Sequence, residues 1–282
     1  MMTLKELQIT INNKLEKAGV DSPAFNSLCL IEHIYGYTQT DLITGSDKLI
    51  DESRLESLEN LVSRRINGEP LQYLVGQWEF YGYPLKVGKG VLIPRDDTEV
   101  VLNDCLSFLK NVDNPTVLDL CSGSGAIAIA ISKESNATVT AVEKSESALP
   151  YLIENVELNN ANVKVINDDI FTCMDMFNDK SFDLIVSNPP YIKSEEIKDL
   201  QIEVRQEPTM ALDGGKDGYT FYRHIIKHYK NKLKAGGMLA FEIGEGQYQY
   251  IENLLKQENF ENIGGSYDLG NIQRTIYGTM TE

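Results

Sequence analysis

No apolar run in this chain approaches the ~20 residues that a bilayer-spanning helix needs. Its first residues do not form a charged-then-apolar leader either. A cytoplasmic protein without a membrane partner is therefore expected. Cysteine is scarce: Cys29, Cys105, Cys121 and Cys173 stand far apart with no C-x-x-C pair. That spacing argues against a disulfide framework and for reduced, mostly buried thiols. Only three histidines occur, His33, His224 and His228. The last two are four apart, but His224-Ile225-Ile226-Lys227-His228 lacks the glutamate of H-E-x-x-H and no third ligand is evident, so no metal is expected. No G-x-S-x-G or Ser/His/Asp arrangement appears, and there is no internal repeat or low-complexity tract.

Positive charge is also in short supply. Lys and Arg number 26 against 42 Asp and Glu, for a formal charge of −16. Nucleic-acid binders grip phosphates with clustered Lys and Arg, so the balance points to a protein or small-molecule partner and away from direct nucleic-acid binding. The one basic run, Lys227, Lys230, Lys232 and Lys234, reads as a solvated helix end with cations near the negative pole. A monomer is expected.

What is present suits two domains: 282 residues, 42% hydrophobic and 24% charged. In residues 1–70 the spacing is helical. Leu4, Leu7, Ile11 and Leu15 predict a helix stopped by Gly19. Ser22-Pro23 predicts a capped start for a second helix that turns Leu28, Ile31 and Ile34 inward. A later helix runs through Leu55, Leu58, Leu61 and Ile66 to Gly68. This bundle is read as a packing unit or a substrate-docking domain. Residues 71–92 are a linker, with a β-hairpin predicted from Trp78-Glu79-Phe80 and Leu85-Lys86-Val87 around Tyr81–Pro84. In residues 93–282, short apolar runs (Val117–Leu120, Val139–Val142, Val163–Ile166, Leu184–Val186, Met238–Ile243) alternate with helical stretches such as Ala126–Ser132 and Leu149–Leu158. That alternation predicts an α/β fold, a mostly parallel sheet with helices on both faces. Phe260 to Tyr277 predicts two further strands as an antiparallel closing pair.

Ligands of such sheets bind beyond the carboxyl ends of the strands, where strand order reverses. The first strand ends in Asp119-Leu120-Cys121-Ser122-Gly123-Ser124-Gly125-Ala126, a loop whose glycines allow a tight turn and close ligand approach. Gly123, Gly125 and Ala128 also fit the dinucleotide fingerprint, which taken alone is a weak signal. Asp119 is a carboxylate where a pyrophosphate would sit badly; it suits a ligand with an ammonium and a sulfonium, as S-adenosylmethionine has. Glu143 closes the second strand and can accept both ribose hydroxyls, a role common to both cofactors. After the third strand, in Asp168-Asp169-Ile170-Phe171, a carboxylate such as Asp169 can take an adenine amino group while Ile170 packs on the ring; plain loop acids are nearly as good an account.

Ser187-Asn188-Pro189-Pro190-Tyr191 follows the fourth strand and is the most specific signal. The two prolines end the strand and stiffen the backbone. That aims the Asn188 side-chain carbonyl and the Pro189 main-chain carbonyl at one point, where they can hold both hydrogens of a planar NH2 group. Tyr191 can press on its face. The motif predicts methyl transfer to an amide or amine nitrogen.

These residues resemble the PrmC/HemK family, the glutamine methyltransferases of peptide chain release factors. The resemblance extends over nearly the whole chain: Glu69-Pro70-Leu71-Gln72-Tyr73-Leu74-Val75-Gly76, Gly90-Val91-Leu92-Ile93-Pro94-Arg95, Asp119–Gly125, Asn188–Tyr191, Ala211–Gly218 and Glu242-Ile243-Gly244. It implies an N-terminal helical domain, a linking hairpin and a Rossmann-like seven-stranded class I methyltransferase domain. It also implies that the donor contacts Cys121, Ser122, Gly123, Ser124, Gly125, Glu143, Ile170 and Asn188, and that the glutamine of a release factor sits on Asn188, Pro189, Pro190 and Tyr191. The chain departs from the family pattern at Asp96-Asp97, at Cys121 in place of a usual glycine, at Glu143 for Asp, at Ile170 for Trp and at Gln273. A glutamine methyltransferase of a ribosomal protein, an amino-methyltransferase of DNA or RNA bases, and a non-enzymatic or nicotinamide-binding module stay open as alternatives at this point.

Overall fold

The computed structural model describes residues 2–281, which form two compact units. One runs to Gln77 and adds Gln201–Gln206; the other comprises Trp78–Leu200 and the residues from Glu207 onward. The first unit holds helices α1 (Leu4–Lys17), α2 (Pro23–Tyr35), α3 (Gln39–Thr44), α4 (Leu55–Ile66) and α5 (Leu71–Val75). Thr3 and Glu6 close a capping box at the start of α1, satisfying backbone donors that the first turn leaves free. Leu4, Leu7, Ile11 and Leu15 are all buried, as their spacing predicts.

Helix α2 departs from expectation in two ways. Ser22 precedes Pro23 as predicted, but it adopts a left-handed conformation and makes no side-chain cap. The inward face carries Asn26, Ser27, Leu30 and Ile31, while Leu28 and Ile34 are only half-buried. The reason is a buried polar centre. Arg65 of α4 is 3% exposed and donates Nε–H to Asn26 Oδ1 at 2.7 Å, with a second bond to Glu203 at 2.5 Å. An unpaired buried guanidinium is costly, so Asn26 must face inward, and that rotates the apolar stripe.

The hairpin forms from β1 (Gln77–Phe80) and β2 (Tyr83–Lys86). Asn155 Oδ1 accepts Lys86 N–H at 2.6 Å, and Asn155 Nδ2 donates to Lys86 O and Ser124 O. One buried amide thus ties the hairpin to the glycine loop.

The sheet of the second unit contains β3 (Thr116–Leu120), β4 (Thr138–Glu143), β5 (Val163–Asn167), β6 (Phe182–Ser187), β7 (Leu233–Glu242), β8 (Phe260–Gly264) and β9 (Thr275–Met280), in the order β5-β4-β3-β6-β7-β9-β8. The first five strands in that order are parallel, and β9 runs antiparallel to both β7 and β8. Around the sheet are α6 (Thr98–Leu109), α7 (Ala126–Glu134), α8 (Leu149–Leu158), α9 (Thr209–Leu212), α10 (Thr220–Tyr229) and α11 (Tyr248–Gln257). Side chains alternate across a strand, so each central strand feeds two cores. Val117, Leu184 and Ala240 pack with α6, α7 and α8, while Leu118, Ile185 and Leu239 pack with α10 and α11. Burial on both faces is why these strands read as unbroken apolar runs. The order reverses between β3 and β6, and register pairs Leu120 with both Val142 and Ser187. Three strand ends therefore open at one level. Among the described residues no helix is long and apolar enough to cross a membrane.

Candidate functional site

At that level lies a mostly apolar cleft. Its wall comes from Cys121 and Gly123 after β3, Glu143 at the end of β4, Asp169–Phe171 after β5, and Asn188 and Pro190 after β6. A smaller recess shares Leu92, Cys121, Gly123 and Asn188 with the cleft, and is completed by Asp119, Ser122 and Ser124 together with Arg95 and Thr98. Most residues singled out in the sequence thus converge. Gly125, Pro189 and Tyr191 are not among the lining residues of either space.

The glycine loop is shaped by backbone geometry. Cys121, Gly123 and Gly125 all have positive φ. At Cys121 this conformation works against a Cβ. A Cβ at Gly125 would lie 2.6 Å from Leu152 Cδ1. Gly125 therefore acts through close packing of the loop on α8.

Two carboxylates govern the electrostatics. Asp119 is 1% exposed, and among the described residues neither of its side-chain oxygens has a hydrogen-bond partner. Burial, with the nearby Glu143 charge adding to it, pushes its pKa up to about 7. A buried carboxylate without a donor is unfavourable unless something cationic completes it. This orphaned group on the recess fits the ammonium of S-adenosylmethionine. Glu143 is buried as well, and burial raises its pKa. Its Oε2 accepts Gly123 N–H at 2.7 Å and its Oε1 accepts Ser145 N–H at 2.6 Å. Each oxygen keeps a further lone pair, enough for two ribose hydroxyls.

Beyond β5, the Asp169 carboxylate accepts Phe171 N–H at 3.0 Å and a Lys144 ammonium proton at 2.7 Å. Ile170 is 4% exposed. Its carbonyl receives the Tyr229 hydroxyl at 2.8 Å and His224 Nε2 at 2.9 Å, so that ring nitrogen carries the proton, since a carbonyl only accepts. His224 also stacks on His228 and lies against Phe171. The pair that has metal-like spacing in the sequence thus braces the Ile170 loop.

Asn188 Nδ2 donates to Thr98 Oγ1 at 3.3 Å, and Thr98 donates in turn to Glu242 at 2.5 Å. Among the described residues nothing donates to Asn188 Oδ1 or to the Pro189 carbonyl. The tetrapeptide is braced from behind. Ser187 Oγ donates to Leu120 O at 2.6 Å, and Gln247 Nε2 donates to Tyr191 O at 3.1 Å. A Cβ on Gly214 would lie 2.7 Å from Tyr191 Cα and 2.8 Å from Pro190 O, so only glycine lets that turn close on the motif.

Several residues of this site receive no role from the sequence: Thr98, Glu207, Gln247, and Glu242, which figures there only within Glu242-Ile243-Gly244. Glu207 is 4% exposed, accepts Ile93 N–H at 2.9 Å and pairs with Arg95, so it holds the Ile93-Pro94-Arg95 stretch. Glu242 had a signal. It is a carboxylate closing an apolar strand, as Glu143 closes β4.

Residues 6–76 match the family profile described as PrmC N-terminal domain, and residues 101–215 the one described as methyltransferase small domain. The chain is 39% identical over 280 residues to a release factor glutamine methyltransferase of Fusobacterium nucleatum subsp. nucleatum, covering 96% of this chain and 78% of that one. It is also 39% identical over 254 residues to the release factor glutamine methyltransferase of Thermodesulfovibrio yellowstonii, covering 88% of this chain and 89% of the relative. Its fold is similar to that of a methyltransferase from Pyrococcus furiosus, with a TM-score of 0.52, 19% identity, and 72% of this chain and 91% of that one covered. Identity sustained across both the helical and the sheet-containing unit shows that this chain belongs to the release factor glutamine methyltransferase family.

Proposed function

We propose that the chain transfers a methyl group from S-adenosylmethionine to the side-chain amide nitrogen of a glutamine, in the glycine-glycine-glutamine loop of a peptide chain release factor. The observation that carries this reading is a pair of acceptors that receive no hydrogen bond among the described residues, Asn188 Oδ1 and the Pro189 carbonyl, beside a cleft whose adjoining recess holds an orphaned buried carboxylate.

When bound, the donor supplies an electrophilic methyl on a sulfonium. The chain does the rest by placement. Asp119 takes the ammonium, Glu143 the ribose hydroxyls, and Ile170 packs on the adenine, with Asp169 beside it. Cys121, Ser122, Gly123 and Ser124 form the floor, and Gly125 lets that floor sit close to α8. Asn188 Oδ1 and Pro189 O accept the two amide hydrogens, while Pro190 and Tyr191 keep the acceptors fixed. An amide nitrogen is a weak nucleophile because its lone pair is delocalised into the carbonyl. Gripping both hydrogens turns the nitrogen lone pair toward the donor. Orienting two reactants in this way is worth ~7–11 kcal/mol in well-aligned cases. No strong base is required, because the nitrogen loses its proton after transfer.

The partner is a protein, met by a cytoplasmic monomer. Asn-Pro-Pro-Tyr would hold a nucleobase amino group equally well, but the charge of −16 disfavours a polyanion. Lys230, Lys232 and Lys234 offer it little, since each pairs with an acid: Glu258, Asp179 and Asp183. The helical unit before residue 70 serves as a docking surface, with residues 71–92 as the linker. The test is transfer of labelled methyl to a purified release factor, run beside DNA, RNA and ribosomal protein. Label confined to nucleic acid or to the ribosomal protein would replace this reading with the matching alternative.

A further inference from the structure

Glu242 closes β7 and is 2% exposed. Its Oε2 receives the Thr98 hydroxyl at 2.5 Å, and its Oε1 receives the Tyr191 hydroxyl at 3.4 Å. We infer that Glu242, resting on the reading above, is a positioning residue for methyl transfer: through Thr98 it decides which end of the Asn188 carboxamide faces the cleft.

The argument is one of hydrogen counting. A threonine hydroxyl has a single proton, and an ionised carboxylate can only accept; burial pushes the Glu242 pKa up to about 7, so this arrangement holds above that pH. With its proton committed to Glu242, Thr98 Oγ1 presents lone pairs alone. Asn188 lies 3.3 Å away, and a carboxamide oxygen turned toward Thr98 would meet lone pair with lone pair. The NH2 end must therefore face Thr98, which leaves Oδ1 to accept a hydrogen from a substrate amide. Without the carboxylate, the Thr98 proton is free to turn toward Asn188. The carboxamide can then rotate and offer its own NH2 to the substrate NH2, donor against donor. The second oxygen of Glu242 holds the Tyr191 hydroxyl, so one buried group reaches both ends of the tetrapeptide. The Tyr191 backbone is held separately by Gln247 at 3.1 Å, so loss of Glu242 is felt mainly through Asn188.

The test uses the full-length protein, a release factor and labelled S-adenosylmethionine, with S-adenosylhomocysteine binding measured in parallel by calorimetry. The variants are Thr98→Val, Thr98→Ser, Glu242→Gln and the double variant Thr98→Val/Glu242→Gln. Thr98→Val removes the hydroxyl without changing the bulk. It should lower kcat by roughly 10²-fold, the scale of a small misplacement of reacting groups, with the dissociation constant of S-adenosylhomocysteine unchanged. Thr98→Ser should restore kcat. Glu242→Gln can donate as well as accept, so it should also lower kcat, and the double variant should be no worse than the poorer single one. Wild-type kcat in Thr98→Val, failure of Thr98→Ser to restore it, or multiplied losses in the double variant would overturn the inference. If Glu242→Gln does not fold, the threonine pair still decides. Absence of methyl transfer by the wild-type protein would instead sink the functional reading itself.

Discussion

Gly123 donates its backbone N–H to the Glu143 carboxylate at 2.7 Å, so the loop after β3 is fastened to the end of β4 by a carboxylate that also lines the cleft. Because Glu143 also accepts Ser145 N–H, removing it frees two donors, each worth ~1–3 kcal/mol if left unsatisfied. Glu143→Ala should therefore lower the melting temperature and weaken donor binding together. At saturating donor the rate of methyl transfer should stay near that of the wild type. A rate that falls as far as the affinity would show that Glu143 also acts on the reacting methyl.

Asp119 makes stability depend on pH in a set direction. Its pKa is raised from an ordinary 3.8 to about 7, chiefly by burial. Between those values the folded chain holds a proton that the unfolded chain has released, so stability falls as pH rises through that window and levels off above it. Asp119→Asn removes this contribution. Thermal melts should show the variant more stable than the wild type at pH 8, by on the order of 2–4 kcal/mol, with the gap closing as pH falls toward 4. The same variant should lose most of its affinity for S-adenosylmethionine. A constant gap across the range would mean that Asp119 is not the titrating group.

The nature of the cofactor has its own test. At a hundred times its dissociation constant, S-adenosylmethionine or S-adenosylhomocysteine should add about 2.7 kcal/mol of stability, visible in a melting scan. NAD should add nothing. Stabilisation by NAD alone would revive the dinucleotide reading of Gly123, Gly125 and Ala128.

Much of this architecture is legible in the sequence because double burial leaves a plain mark. β3, β4 and β6 each carry a short apolar run, and Cys121 and Asn188 directly after β3 and β6, like Glu143 at the end of β4, line the cleft. Asn188-Pro189-Pro190-Tyr191 is legible for a different reason, since two prolines after a strand have few structural uses. What is not legible depends on partners distant in sequence. Asn26 turns inward to give Arg65 its oxygen, while its Nδ2 donates to Asp21 O and Ser22 O. Thr98 and Glu242 meet across 144 residues, and nothing local to either marks the pairing. The Ile93-Pro94-Arg95 stretch is conspicuous, yet its anchor Glu207 sits among loop residues that resemble any solvated turn. Local pattern reports burial and turn chemistry. It does not report which buried donor meets which acceptor.

A second surface for the substrate should show in the choice of acceptor. If the helical unit docks a protein, an intact release factor should be methylated far better than a short peptide carrying the same glutamine, because remote contacts supply positioning that the peptide lacks. Initial-rate comparison at equal concentrations tests this. Equal kcat/KM for factor and peptide would remove the docking role from residues 1–70.

The most direct test of the central claim is peptide mapping by mass spectrometry of a release factor incubated with isotope-labelled S-adenosylmethionine and either the wild-type chain or Asn188→Ala. The expected result is one labelled methyl on the side-chain nitrogen of the loop glutamine with the wild type, and a loss of ~10²–10³ in its rate of appearance with Asn188→Ala, the typical consequence of removing one preorganised polar partner of a transition state. Label on another residue, label in nucleic acid with none in the release factor, or an Asn188→Ala rate equal to that of the wild type would contradict it.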